Sequence, residues 1–179
     1  MQKQKFLNPE IILLEAGLKP SMTVADLGSG HGFFTLPASR IVGDSGKVWA
    51  VDILEETLSK IMSLARLSRL KNIRTLRHNL ESSKQASSIE NLSCDFVIIG
   101  KVLPQLKKTD ALVKEAYRML KTGGMVLMIE WKKERVIIGP DYESRLDPEE
   151  VKRLFCGQGF KFVSDLQPDA YHYVLMLQK

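Results

Sequence analysis

Residues 22–34, MTVADLGSGHGFF, constrain the fold of this chain more than any other stretch. Val24, Ala25 and Leu27 form an apolar run of strand type, Gly28, Gly30 and Gly32 fall at alternate positions, and residues 33–40 take up helical spacing. Strand, glycine loop and helix in that order put the loop at the carboxyl edge of a parallel strand. Glycine there lets a ligand approach the backbone, because it has no Cβ and tolerates positive φ, and the start of the helix offers unpaired N–H groups. The pattern predicts a nucleotide-type pocket. A pyrophosphate site of the GxGxxG kind is disfavoured, since position 33 holds Phe33 and the third glycine comes one place early. A Walker loop fails too, because no Gly-Lys-Ser/Thr follows.

After the helix, GKVWAVDI reads as a second apolar strand ending in Asp52. A parallel arrangement puts that carboxylate beside the glycine loop, where it can accept two hydrogen bonds from a ribose cis-diol. A glycine loop alone is often a plain turn, and an Asp after a strand is often a helix cap. The order strand, loop, helix, strand, Asp favours the cofactor reading over both.

With Asp26 opening it, DLGSGHG resembles the first motif of class I S-adenosylmethionine-dependent methyltransferases, and EAYRMLKTGGMVLMIEW resembles the signature that follows the cofactor motifs in that family. The resemblance runs from about Phe6 to the carboxyl end and is closest to the small-molecule group similar to enzymes of ubiquinone and menaquinone biosynthesis. It implies an α/β fold, a doubly wound, mostly parallel seven-stranded sheet of order 3-2-1-4-5-7-6 with the last strand antiparallel. It also implies S-adenosylmethionine as cofactor and S-adenosylhomocysteine as product. The methionyl end is then expected over Gly28, Ser29 and Gly30, with Asp26 and Gly32 nearby. The ribose goes to Asp52, and the adenine lies between Ile53 and Leu80 with Asn79 at its edge, although Asp is commoner at that last position. Gly100 ends the fourth strand at the switch point of the sheet.

Taken in order, the chain opens with Asn8-Pro9-Glu10, an N-cap, a first-turn proline and an acid, before the short amphipathic run IILLEAGL. Residues 1–20 are expected to pack on the core, either as simple edge packing or as cover for the cofactor. Pro37 predicts that the next helix starts near Thr35 or is kinked. Apolar spacing predicts a helix over 54–70, and Asn72 introduces a third strand, IRTLRHNL. The serine-rich stretch ESSKQASSIEN reads as a weak helix or a loop. CDFVII is a buried strand, Thr109-Asp110 cap the helix ALVKEAYRMLK, and MVLMIEW is the fifth strand. Asp147-Pro148 starts a last helix, and GFKFVSDL with AYHYVLML form a closing hairpin.

At 179 residues the length fits about one domain, here taken as residues 1–179. A composition that is 44% hydrophobic and 26% charged is that of a chain with an ordinary core. Cys94 and Cys156 offer no disulfide framework and no zinc-ligand spacing with His31, His78 or His172, so no metal is expected. There is no apolar leader and no membrane-length run, which together predict a soluble, cytoplasmic protein without membrane contact. The net charge of +5 is spread along the chain, which disfavours nucleic acid as partner.

The expected reaction is methyl transfer to a small molecule by in-line displacement. That chemistry depends on positioning more than on a catalytic triad. Glu130, at the end of the fifth strand, is the candidate base, with a surface acid paired to Lys132 or Lys133 as the competing reading. Lys101, Lys132, Lys133 and Arg135 fall at strand ends or loops on the site face and predict an anionic acceptor, while Tyr142 and His172 are candidate pocket residues. RNA or DNA methylation is the alternative enzyme reading, weakened by the absence of a (D/N)PPY motif at Gly100-Lys101-Val102-Leu103. A cofactor-binding protein that acts by contact alone is the non-enzyme reading. A pocket open to solvent would be closed by the amino-terminal helix, the 132–146 loop or a second subunit in a homodimer.

Overall fold

A computed structural model describes residues 6–82 and 87–179. Seven strands are present: β1 (Thr23–Leu27), β2 (Lys47–Asp52), β3 (Ile73–Arg77), β4 (Cys94–Gly100), β5 (Leu120–Trp131), β6 (Lys161–Leu166) and β7 (His172–Gln178). They form one sheet in the order β3-β2-β1-β4-β5-β7-β6. β1 to β5 run parallel, and β7 lies antiparallel between β5 and β6. This is the expected doubly wound, Rossmann-like methyltransferase sheet, with its switch point between β1 and β4.

Both faces of the sheet are covered. β4 reads as a continuous apolar run because it is buried on each side. One layer is α1 (Pro9–Glu15), α2 (Thr35–Val42) and α3 (Glu55–Leu67), whose Leu13, Ala38 and Ile61 pack on Val24, Ala50 and Ile98. The other is α4 (Thr109–Met119) and α5 (Pro148–Cys156), whose Leu112, Ala116 and Phe155 share a core with Ala25, Val97 and Met128. Helix ends follow local chemistry. Asn8 Oδ1 accepts the N–H groups of Glu10 and Ile11 at 3.0 and 3.1 Å to start α1. Asp147 and Glu150 form a reciprocal capping box on α5.

Several boundaries differ from the sequence reading. α2 starts at Thr35, which puts Pro37 in the first turn, where a missing N–H breaks no helical bond. α3 ends at Leu67 rather than Leu70, because Arg69 adopts a positive φ of 56° that stops the helix. Thr109 is the first helical residue of α4, so the cap position falls to Lys108, whose side chain makes no capping bond. β5 begins at Leu120 instead of Met125, through an irregularity opposite Asp95. The centre of the serine-rich stretch, residues 83–86, lies outside the described residues.

Candidate functional site

The loop after β1 is built on close approach. Gly28 has φ 80°, and a Cβ there would lie 2.6 Å from Val102 Cγ2 in the segment after β4. The N–H groups of Gly28 and Ser29 reach across to Val51 O at 2.8 and 3.0 Å, which ties the loop to the end of β2. Asp52 continues that seam. Its Oδ2 accepts Gly30 N–H at 2.8 Å and its Oδ1 accepts Leu54 N–H at 3.0 Å. Each oxygen keeps a second lone pair for a hydroxyl donor.

A cavity of about 580 Å³ opens over these loops at the carboxyl edge of the sheet, within the size range of small-ligand sites. Its wall joins Gly28, Ser29 and Gly30 after β1, Asp52 and Ile53 after β2, Asn79 and Leu80 after β3, and Gly100 and Lys101 after β4. Residues that were distant in sequence therefore share one surface. Asn79 Oδ1 accepts Glu81 N–H at 3.0 Å. Ser29 Oγ is buried in this wall without a hydrogen-bond partner, a state that favours a polar ligand group beside it.

Two of the expected cofactor residues stand behind the wall. Asp26 is 1% exposed, and its Oδ2 accepts the hydroxyl of Thr35 at 2.6 Å, which anchors the start of α2. Burial, with Asp52 nearby, pushes its carboxyl up to about 7 against the opposing Thr35 bond. Gly32 has φ 83° and packs toward Ile61 of α3. Both shape the loop from beneath.

The candidates for chemistry separate in the same way. Lys101 lines the cavity with φ 57°, its N–H on Ile129 O at 2.8 Å and its ammonium 4.7 Å from the Phe33 ring. Burial lowers its pKa, opposed by the charges of Glu130 and Asp169. Glu130 is absent from the wall. It is 1% exposed, so the surface ion pair is excluded, and its Oε1 accepts Leu103 N–H at 3.0 Å beneath the 3₁₀ turn Leu103–Gln105. Burial pushes it up to about 7. Lys132 points to Asp169 O at 3.5 Å, and Tyr142 stacks with Arg135 at 5.2 Å and Lys133 at 6.0 Å; neither lines the cavity. Sequence reasoning missed Phe33 and Val102, which are wall residues, and Asp169 and Arg145 behind it. Phe33 alone had a signal, at the place where a dinucleotide loop would carry glycine.

Among the described residues there is no group of three or more His, Cys, Asp or Glu poised to hold a metal, and no helix long and apolar enough to cross a membrane. A sheet of this order, with a glycine loop, a strand-end Asp and one cavity at the switch point, defines a class I methyltransferase architecture. A family described as a methyltransferase domain matches residues 18–176, and the chain belongs to it. The chain is 30% identical over 118 residues to the ubiquinone/menaquinone biosynthesis C-methyltransferase UbiE of Escherichia coli O1:K1 / APEC, covering 66% of this chain and 46% of that protein. It thus spans about half the length of that relative. A SAM-dependent methyltransferase structure from Aquifex aeolicus superposes with a TM-score of 0.88 at 27% identity, over 96% of this chain and 89% of that one. A putative type 11 methyltransferase from Sulfolobus solfataricus shares the fold with a TM-score of 0.75 at 23% identity, over 97% and 92% of the two chains.

Proposed function

We propose that the chain transfers a methyl group from S-adenosylmethionine to a small, anionic acceptor by in-line displacement. The observation that carries this reading is the single cavity in which the glycine loop, Asp52, Asn79 and the unpartnered Ser29 hydroxyl meet the Lys101 ammonium. In this reading the residues divide the work. The Gly28 to Gly30 backbone and Ser29 hold the methionyl end, Asp52 accepts the ribose hydroxyls, and Ile53 and Leu80 enclose the adenine with Asn79 at its edge. The cofactor supplies a methyl already activated on a sulfonium. The chain supplies alignment, which contributes up to about 7–11 kcal/mol in well-oriented cases. Glu130 positions the turn that carries Val102 and Leu103.

Lys101 forms no ion pair among the described residues, which supports an acceptor that brings its own carboxylate or phosphate. The test is transfer of labelled methyl to panels of carboxylate, phosphate and neutral metabolites, with wild type and Lys101→Ala. Anionic acceptors should predominate, and the variant should raise their KM by about tenfold or more. Preference for neutral acceptors, or an unchanged KM in the variant, would contradict the anionic assignment.

A further inference from the structure

Glu130 is 1% exposed beneath the turn it holds through Leu103 N–H at 3.0 Å and stands off the cavity wall, so it offers no base to an acceptor there. One strand along the same edge stands a different arrangement. The Asp169 side chain is 1% exposed. Its Oδ1 accepts the N–H groups of Tyr171 and His172 at 2.8 and 2.7 Å, and its Oδ2 accepts Leu7 N–H at 2.9 Å. His172 Nδ1 lies 2.8 Å from Oδ2 and 3.0 Å from Oδ1. A carboxylate there keeps the proton on Nδ1 and leaves the lone pair on Nε2. Nε2 is buried and has no hydrogen-bond partner.

The ring is aimed by its strand. β5 and β7 pair Trp131 with His172, so the two side chains rise on one face at the carboxyl edge, with ring centroids 4.2 Å apart. Ile129, two residues before Trp131, holds Lys101 N–H on its carbonyl, which brings the cavity wall alongside. The charged groups that act on the imidazole are Asp169, Lys101 and Lys132; burial and the two ammonium groups favour its neutral form, and Asp169 opposes them.

We propose that the Asp169–His172 pair takes the proton of the methyl-accepting atom at His172 Nε2, with the Lys101 ammonium facing the charge that develops on the acceptor. This rests on the methyl-transfer reading. The acceptor atom forms the new bond to the methyl carbon, the carbon–sulfur bond breaks with its electron pair going to sulfur, and the acceptor's proton ends on Nε2. Asp169 balances the imidazolium so formed.

The experiment uses the protein loaded with S-adenosylhomocysteine and para-nitrophenol, a probe with an ionisable proton and a coloured anion, at a pH below the probe's own pKa. Wild type should bind it as the yellow phenolate. His172→Gln, which keeps a polar group but takes no proton, should lower that signal by about tenfold, and Asp169→Asn should lower it as well. Titration of both variants with S-adenosylhomocysteine should match wild type, because neither residue lines the cofactor wall. Equal phenolate signal in His172→Gln, or none in loaded wild type, would overturn the proposal. Failure of wild type to bind S-adenosylhomocysteine would instead overturn the methyl-transfer reading, and the proposal with it.

Discussion

At the scale of single residues, Gly28 carries the tightest constraint, because both its positive φ and the contact with Val102 exclude a side chain. Gly28→Ala should cost about 1–3 kcal/mol in denaturant unfolding and weaken S-adenosylhomocysteine binding in calorimetry. Asp26 and Glu130 carry a pH dependence of opposite sense to that of most carboxylates. Each is pushed up to about 7 by burial, so between roughly pH 4 and 7 the folded chain holds a proton that the unfolded chain has lost. Their contribution to stability is present at acid pH and lost as pH rises through that window. Glu130→Gln should flatten the decline when unfolding is followed across it; an unchanged slope would contradict the assignment. The glycine loop of the cavity was legible because its residues are neighbours in sequence, and Ile53, Asn79 and Leu80 entered through the family resemblance. Glu130 was misread as facing the site, yet strand parity contained the correction. Positions 126, 128 and 130 alternate toward the α4 and α5 layer, so a carboxylate at 130 turns under the neighbouring turn rather than into the cavity.

At the scale of elements, caps and periodicity made the helices legible, and one buried cation made the 132–140 segment what it is. Arg145 is 2% exposed, and its guanidinium donates to the carbonyls of Pro140, Lys132, Glu134 and Ile138 at 2.9, 3.2, 2.8 and 2.7 Å. A planar fork can serve these four acceptors at once, and an ammonium cannot. Arg145→Lys should cost roughly 1–3 kcal/mol and speed amide exchange across 132–140; unchanged exchange there would contradict the role. No sequence pattern announces such a residue, since its partners are main-chain carbonyls. The amino-terminal helix shows the complementary case. Its cap and apolar spacing were readable, and Leu13, fully buried, predicts a loss of about 2–5 kcal/mol for Leu13→Ala in thermal or denaturant unfolding. Its tie to Asp169 through Leu7, by contrast, joins residues 162 positions apart and leaves no local trace.

At the scale of the whole molecule, the alternation of apolar runs and helical spacing with a terminal hairpin made a doubly wound sheet legible, and the family resemblance supplied the strand order and switch point that the structure shows. What stayed out of reach was which side chains near those strand ends turn into the wall and which turn behind it, as Asp26 and Glu130 do, since side-chain facing is set by packing across the sheet. The central claim is that the cavity at the switch point holds S-adenosylmethionine with its ribose on Asp52. Calorimetric titration of wild type and Asp52→Ala with S-adenosylhomocysteine tests it most directly, with denaturant unfolding of both to establish that the fold persists. The account predicts binding by wild type and a loss of affinity of about tenfold or more in a folded Asp52→Ala protein. Equal affinity in the two proteins, or no binding by a folded wild type, would contradict it.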